Sequence, residues 1–250
     1  MNYNYNLSKL TKYIVLSGVF LILSGCGGKK FTKSPVDELA KDMTQTPSFS
    51  IILYDMDTEG IFFPTYRHQY RIIKEDKGRP PEEEITGWYE VSKDFFGKNE
   101  NNMGMEIVSK NAEGKISKVA APPGYSNYVG NQRYGSWQTH SGGHSFWAFY
   151  GQYAFMSSMF NMMTYPARRS YYNTYRSGYG AGRSYYGPRT TGGGSYYGTN
   201  SDFNRKTKPT SKWNNNFRNR VRSSTTASSR SGSRYSSGSS FRSRGGGFGK

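Results

Sequence analysis

The feature that most restricts how this chain can fold is a change in composition near residue 166. Aliphatic side chains almost vanish in the last third: after Ala181 only Val221 and Ala227 remain. A segment with so little apolar surface cannot bury enough area to offset the conformational entropy lost on ordering. The sequence therefore predicts a folded part that ends near residue 165, followed by a disordered tail over residues 166–250.

The charge divides at the same place. Residues 1–165 carry 17 Lys/Arg and 16 Asp/Glu, whereas residues 166–250 carry 17 Lys/Arg and one acid, so almost all of the net charge of +17 lies in the tail. Arginine pairs bidentately with phosphates and carboxylates, which predicts a polyanionic partner. The candidate polyanion-binding residues are Arg168, Arg169, Arg176, Arg183, Arg218, Arg220 and Arg222.

Residues 1–25 have the organisation of a secretory signal peptide. Lys9 and Lys12 form a positive region, and residues 13–23 are an uncharged, mostly apolar run. That run is short for a membrane-spanning helix, which needs about 20 apolar residues, and has the length of a signal-peptide core.

The tetrapeptide Leu23-Ser24-Gly25-Cys26 follows directly and resembles the lipobox of bacterial lipoproteins. The resemblance implies lipid transfer to the Cys26 thiol, cleavage before it, and a membrane anchor of acyl chains. It also implies the bacterial cell envelope, and Gly27 in place of an aspartate favours the outer membrane over the inner one in a diderm host. The alternatives are an uncleaved N-terminal anchor with an incidental cysteine and an unlipidated secreted protein.

The segment after a lipidated tether of residues 26–34 is expected to fold. Alternating and apolar runs predict strands, and the turn signals at Asp57 to Gly60 and at Asn111 to Gly114 each predict an antiparallel hairpin. Ser34-Pro35 opens a helix well. We expect a small α+β domain over residues 35–121, with an antiparallel sheet and one or two short helices. Strands are expected at residues 48–56, 66–73, 85–91, 105–108 and 116–119, with a short helix at residues 92–99.

Residues 122–143 are rich in Gly, Asn and Tyr, which predicts an irregular linker. Residues 145–163 then carry no charge, and large apolar side chains recur there every three or four residues, which is typical of an amphipathic helix. An aromatic helix is therefore expected over residues 144–165, packed either on the domain or at a membrane interface. Its apolar side chains are Phe146, Phe149, Tyr153, Met156, Phe160 and Met163.

Few residues point to catalysis. His140 and His144 are spaced for a helical metal site, but two glycines between them disfavour a helix and no nearby carboxylate supplies a third ligand. His68 lies on the aromatic face of a predicted strand, which favours a structural role. Three consecutive glutamates, at 82–84, follow Pro80-Pro81 and are expected to project into water. We therefore expect no catalytic residue, no metal and no cofactor.

These patterns favour a lipid-anchored envelope protein with a non-catalytic interaction or structural role. Its tail would contact anionic lipid, lipopolysaccharide or cell-wall polymer. One alternative is a nucleic-acid-binding protein, because arginine interleaved with tyrosine and glycine is also typical of segments that bind RNA by charge and stacking. A second alternative is an envelope enzyme with its site in residues 48–121. The Tyr/Gly/Arg-rich C-terminal half also resembles that of other envelope lipoproteins, a resemblance that assigns a role only to Cys26.

Overall fold

The computed structural model describes residues 34–60, 63–76, 79–179, 181–208, 210–211 and 213. These residues form an α+β fold, as expected, with a five-stranded antiparallel sheet, a two-stranded hairpin and short helices. The strands are β1 (Ser48–Glu59), β2 (Thr65–Glu75), β3 (Glu82–Val91), β4 (Glu106–Lys110), β5 (Ile116–Ser117), β6 (Gly135–Thr139) and β7 (Ser145–Phe149). The α-helices are α1 (Pro35–Asp42), α2 (Lys93–Lys98), α3 (Phe155–Met159), α4 (Arg169–Tyr179) and α5 (Asp202–Thr207), and a 3-10 turn spans Gly151–Tyr153.

The five-stranded sheet has the order β3-β2-β1-β4-β5. The two predicted hairpins, β1–β2 and β4–β5, are both present, and Ile51 lies opposite Ile72 in the first of them. The short helix predicted after β3 is α2, and the Ser92 hydroxyl caps it by accepting the backbone N–H of Phe95.

The three glutamates are exposed, as expected, and they form the start of β3. Glu83 pairs with Arg71 at 3.0 Å, and Glu84 pairs with Lys74 at 2.6 Å. Cross-strand pairs of opposite charge stabilise neighbouring strands. Two of the three consecutive negative charges are thus paired with cations of β2.

One face of the sheet is covered by α1 and α2. Ser34 precedes α1, and its hydroxyl donates to the Asp37 carboxylate at 2.7 Å. The helix buries Val36 and Ala40 against the β1 residues that point to this face, among them Ile51 and Leu53. Apolar burial of this kind stabilises the fold by about 25 cal/mol per Å² of apolar surface.

The other face of the sheet is covered by aromatic rings. Ile52 and Ile73 point to this face and pack in one buried cluster with tyrosines and a tryptophan from residues 125–175. Such rings each bury a large apolar area and prefer tilted or edge-to-face arrangements. The main rings of this layer, called here the tyrosine layer, are Tyr125, Tyr128, Tyr134, Trp147 and Tyr175.

The predicted aromatic helix over residues 144–165 is wrong. Residues 145–149 are strand β7, paired with β6 so that Trp147 lies opposite Trp137, and only Phe155–Met159 is α-helical. Apolar residues are so frequent in this segment that they fit both the helical and the strand spacing. Gly151 interrupts the segment between strand and helix. Residues 145–149 form a strand because they pair with β6. The residue spacing along one segment does not reveal whether another segment pairs with it.

The expected linker and the expected start of the disordered tail also need correction. Tyr125 and Tyr128 of the presumed linker are buried, and so are Tyr175, Tyr197 and Phe203 beyond residue 166. The physical reason is that aromatic rings supply the apolar area that the missing aliphatic side chains do not. The residues from 214 onwards lie outside the described part of the chain.

Candidate functional site

The structure describes four of the seven arginines predicted to bind a polyanion. Arg168 precedes α4, Arg169 and Arg176 lie on it, Arg183 follows it, and all four are exposed. Arg169 and Arg176 are two helical turns apart, about 10 Å along the axis. The other three predicted arginines, Arg218, Arg220 and Arg222, and the predicted lipid-attachment residue Cys26, lie outside the described residues.

Helix α4 orients these arginines because its tyrosines anchor one side of it. Tyr172, Tyr175 and Tyr179 follow a helical spacing and pack on the tyrosine layer, where the Tyr125 ring lies 5.6 Å from that of Tyr175 and 5.8 Å from that of Tyr172. By the helical period Arg169 and Arg176 fall along the edge of this buried stripe. The same residue spacing thus buries the rings and exposes the cations.

Aromatic rings lie beside two of the arginines. The Arg169 guanidinium is 5.9 Å from the centre of the Trp137 ring on β6, and the Arg168 guanidinium is 5.6 Å from that of Tyr171. Both distances are within the roughly 6 Å range of cation–π attraction. These four residues with Arg176 and Arg183 are called here the arginine face.

The positive charge of the arginine face is not neutralised within the described part of the chain. The ion pairs formed there use other residues, and none joins Arg168, Arg169, Arg176 or Arg183 to a carboxylate. An exposed guanidinium without a carboxylate partner keeps its fork of donors available to a phosphate or carboxylate of another molecule.

A small cavity of about 250 Å³ adjoins Arg176. Lys115 supplies a second cation to its wall, and no acidic residue lines it. Hydroxyl and amide groups complete the lining, and such groups can donate hydrogen bonds to an anion. The other lining residues are Ser109, Asn111, Ser126, Asn127 and Tyr179.

The histidines do not form a metal site in the described residues. His140 and His144 lie in the turn between β6 and β7, where the backbone N–H of His140 donates to the carbonyl of His144 at 3.1 Å. No group of three His, Cys, Asp or Glu side chains that could hold a metal occurs in the described ranges. His68 is fully buried against the Phe96 ring, and burial lowers its pKa to about 3, so it is a neutral core residue.

The sequence patterns did not single out Glu106, a buried titratable residue. Glu106 of β4 is fully buried, and its carboxylate accepts the backbone N–H of Gly124 at 2.8 Å. Burial raises the pKa of Glu106 from its ordinary value of 4.5 to about 7. The signal that could have revealed it is its position between Met105 and Ile107 in an apolar strand.

Comparisons with protein-family models, with curated proteins and with solved structures returned no match to this chain. Among the helices of the described residues, none has both the length and the apolar character needed to cross a membrane.

Proposed function

We propose that this chain is a lipid-anchored bacterial envelope protein that binds anionic envelope polymers or lipids through the arginine face, without a catalytic role. The observation that carries the proposal is the set of four exposed arginines that have no carboxylate partner in the described part of the chain. The lipobox-like sequence at Cys26 supports the envelope location.

The arginine face suits a phosphate- or carboxylate-bearing surface. Each basic residue close to an anionic membrane surface contributes about 1 kcal/mol, so several together bind usefully while each alone binds weakly. The Trp137 and Tyr171 rings beside Arg169 and Arg168 add flat apolar surface that a sugar ring can cover. A lipid anchor holds the protein at the envelope, and the arginine face then needs only modest affinity.

The anchor is tested by comparing the expressed protein with a Cys26→Ala variant. We expect the wild type to lose residues 1–25, to gain the mass of acyl chains and to enter the detergent phase, because several acyl chains bind a membrane durably. The variant should do none of these. Intact mass and detergent partitioning measure both properties, and a wild type that remains soluble and unmodified would show the anchor assignment to be wrong.

The arginine face is tested by replacing Arg168, Arg169 and Arg176 together with glutamine in the full-length protein in detergent. We expect the affinity for polygalacturonate, a soluble polyanion, to fall at least about tenfold at low salt, because three charges that each contribute about 1 kcal/mol are removed. Titration at rising salt concentration should reduce wild-type binding more steeply than variant binding.

The matched control removes three exposed charges from the opposite face of the sheet, with Lys41, Lys93 and Lys98 replaced by glutamine. This control should bind like the wild type. If the two triple variants lose affinity equally, binding depends on net charge alone and the arginine face is not a defined binding surface.

Double-stranded DNA serves as a second titrant. Much tighter binding of DNA than of the polysaccharide would favour the nucleic-acid alternative.

A further inference from the structure

A second, larger cleft of about 490 Å³ lies on the sheet face that carries the tyrosine layer. Strands β1 and β2 form its floor, and α3 and the end of α5 form its walls. None of the arginines of the arginine face lines it, so the two features are separate. Its volume is in the range of about 300–1,000 Å³ that is typical of small-molecule sites.

Two of the side chains that line the cleft lie beside irregularities in strand pairing. The β1–β2 register shifts between Leu53 and Asp55, which makes Tyr54 the extra residue of a β-bulge. The β2–β3 register shifts between Gln69 and Arg71. Bulges redirect side chains and are frequent beside binding sites, and here Tyr54 and Arg71 both line the cleft.

The charged groups of the cleft differ in whether they have partners. Arg71 is held on two sides, since its Nη1 donates to the Met159 carbonyl at 2.7 Å and its Nε lies 3.0 Å from the Glu83 carboxylate. Lys208 lies against the Tyr54 ring. The centre of the same ring is 5.0 Å from the Arg71 guanidinium.

Lys208 has no carboxylate within ion-pairing distance among the described residues. The nearby Asp55 carboxylate does not line the cleft, and its Oδ1 accepts both the Ser211 hydroxyl at 2.7 Å and the Met56 N–H at 2.8 Å. Burial lowers the pKa of Lys208, as expected for a half-buried ammonium. An ammonium in this position gains from an anion that enters the cleft.

The rest of the lining combines hydrogen-bonding groups with apolar surface. Ser158, Thr207 and Asn161 bring hydroxyl and amide groups, and Phe155 and Met159 bring apolar surface. The Phe155 side chain is 41% exposed although it is a large hydrophobic residue, which leaves it free to pack on a ligand.

Asn161 is held at the cleft by the way α3 ends. It is the one non-glycine residue with positive φ, 55°, in the described part of the chain. Its N–H donates to the Ser158 carbonyl at 3.0 Å, and the N–H of Met162 donates to the Ser157 carbonyl at 2.7 Å. This is the Schellman arrangement, in which asparagine is the usual alternative to glycine.

We propose that the cleft binds a sugar unit that bears one carboxylate, such as a uronic acid residue of an anionic polysaccharide. The Arg71–Glu83 pair is neutral, and Lys208 has no carboxylate within ion-pairing distance in the described residues, so its ammonium is available to a single carboxylate. The Glu83 carboxylate can accept hydrogen bonds from sugar hydroxyls, and it repels a doubly charged phosphate ester more strongly than a singly charged carboxylate. Ser158, Thr207 and Asn161 meet ring hydroxyls, and Phe155 and Met159 cover the C–H face of the sugar.

Isothermal titration of full-length protein in detergent with digalacturonic acid tests this assignment. We expect saturable binding to the wild type, at least about tenfold weaker binding of the neutral digalactose, and at least about tenfold loss of digalacturonate affinity in Lys208→Gln, since one charge-assisted contact is removed. Lys208→Arg keeps the charge and should retain most of the affinity.

The matched control is Lys206→Gln, which removes an exposed charge from the same helix outside the cleft. It should bind like the wild type, and thermal melting of each variant confirms that it is folded. Absent or non-saturable binding of digalacturonate, equal losses in the two lysine variants, or tighter binding of galactose 6-phosphate would each overturn the proposal. The arginine-face variant keeps Lys208 and should bind the disaccharide normally, so the two assignments fail separately.

Discussion

Replacing Tyr175 by alanine is expected to destabilise the fold by about 3–5 kcal/mol, the usual cost of removing a buried aromatic ring. Tyr175 is 1% exposed, and its ring lies 5.6 Å from that of Tyr125 and 5.0 Å from that of Tyr179. The residue belongs to the compositionally simple segment that the sequence predicts to be disordered, where such a change would have no effect. Urea unfolding followed by circular dichroism measures the difference directly.

The control for Tyr175 is Asn173→Ala, two positions away on the exposed side of α4. This variant should remain within about 0.5 kcal/mol of the wild type, as is usual for exposed positions. Equal stability of the Tyr175→Ala variant and the wild type would mean that α4 does not contribute to the core.

The second large effect is expected for Glu106→Gln, as a change in how stability depends on pH. Burial raises the pKa of Glu106 from 4.5 to about 7 in the folded state, so the unfolded chain releases this proton first as the pH rises. The favourable contribution of the protonated form is complete below pH 4.5 and is lost as the pH rises to about 7. The total loss is roughly 3 kcal/mol, since one unit of pKa corresponds to about 1.4 kcal/mol.

A glutamine at position 106 stays neutral and can still accept the Gly124 N–H that the carboxylate accepts at 2.8 Å. We therefore expect the variant to be more stable than the wild type at pH 8 and similar to it at pH 4. Urea unfolding at several pH values measures this, and Glu113→Gln, at an exposed position in the β4–β5 turn, is the control that should leave the pH profile unchanged. A wild type whose stability does not fall between pH 4.5 and 7 would contradict a buried, protonated Glu106.

The hairpins were predictable because they depend on local information. The alternation along residues 66–73 and the turn signal at Asn111 to Gly114 act between neighbours in sequence, so β2 and the β4–β5 turn were found. The helix-like spacing of residues 145–163 misled for the opposite reason. Strand β7 exists because β6 pairs with it, and Trp137 opposite Trp147 is a contact between positions ten residues apart.

The sites divide in the same way. The arginines on and beside α4 could be proposed from the sequence because positive charge is a property of each residue, and the sequence also supplied the lipobox-like motif at Cys26. The cleft was not found, because it is assembled from a bulge at Tyr54, a cation on β2 and Lys208, which lies more than 130 positions beyond Arg71.

The sequence by itself determined the α+β class, the two hairpins and the uneven distribution of charge, since each of these follows from neighbouring residues. Only the tertiary structure showed that residues beyond 166 belong to the fold. A count of aliphatic residues predicts disorder from residue 166. A tyrosine stabilises the fold, however, only where other rings pack around it and bury it. Tyr175, Tyr197 and Phe203 pack against such rings on the far face of the sheet and in the segments that cover it, and these long-range contacts bring residues 166–179 and 181–208 into the fold.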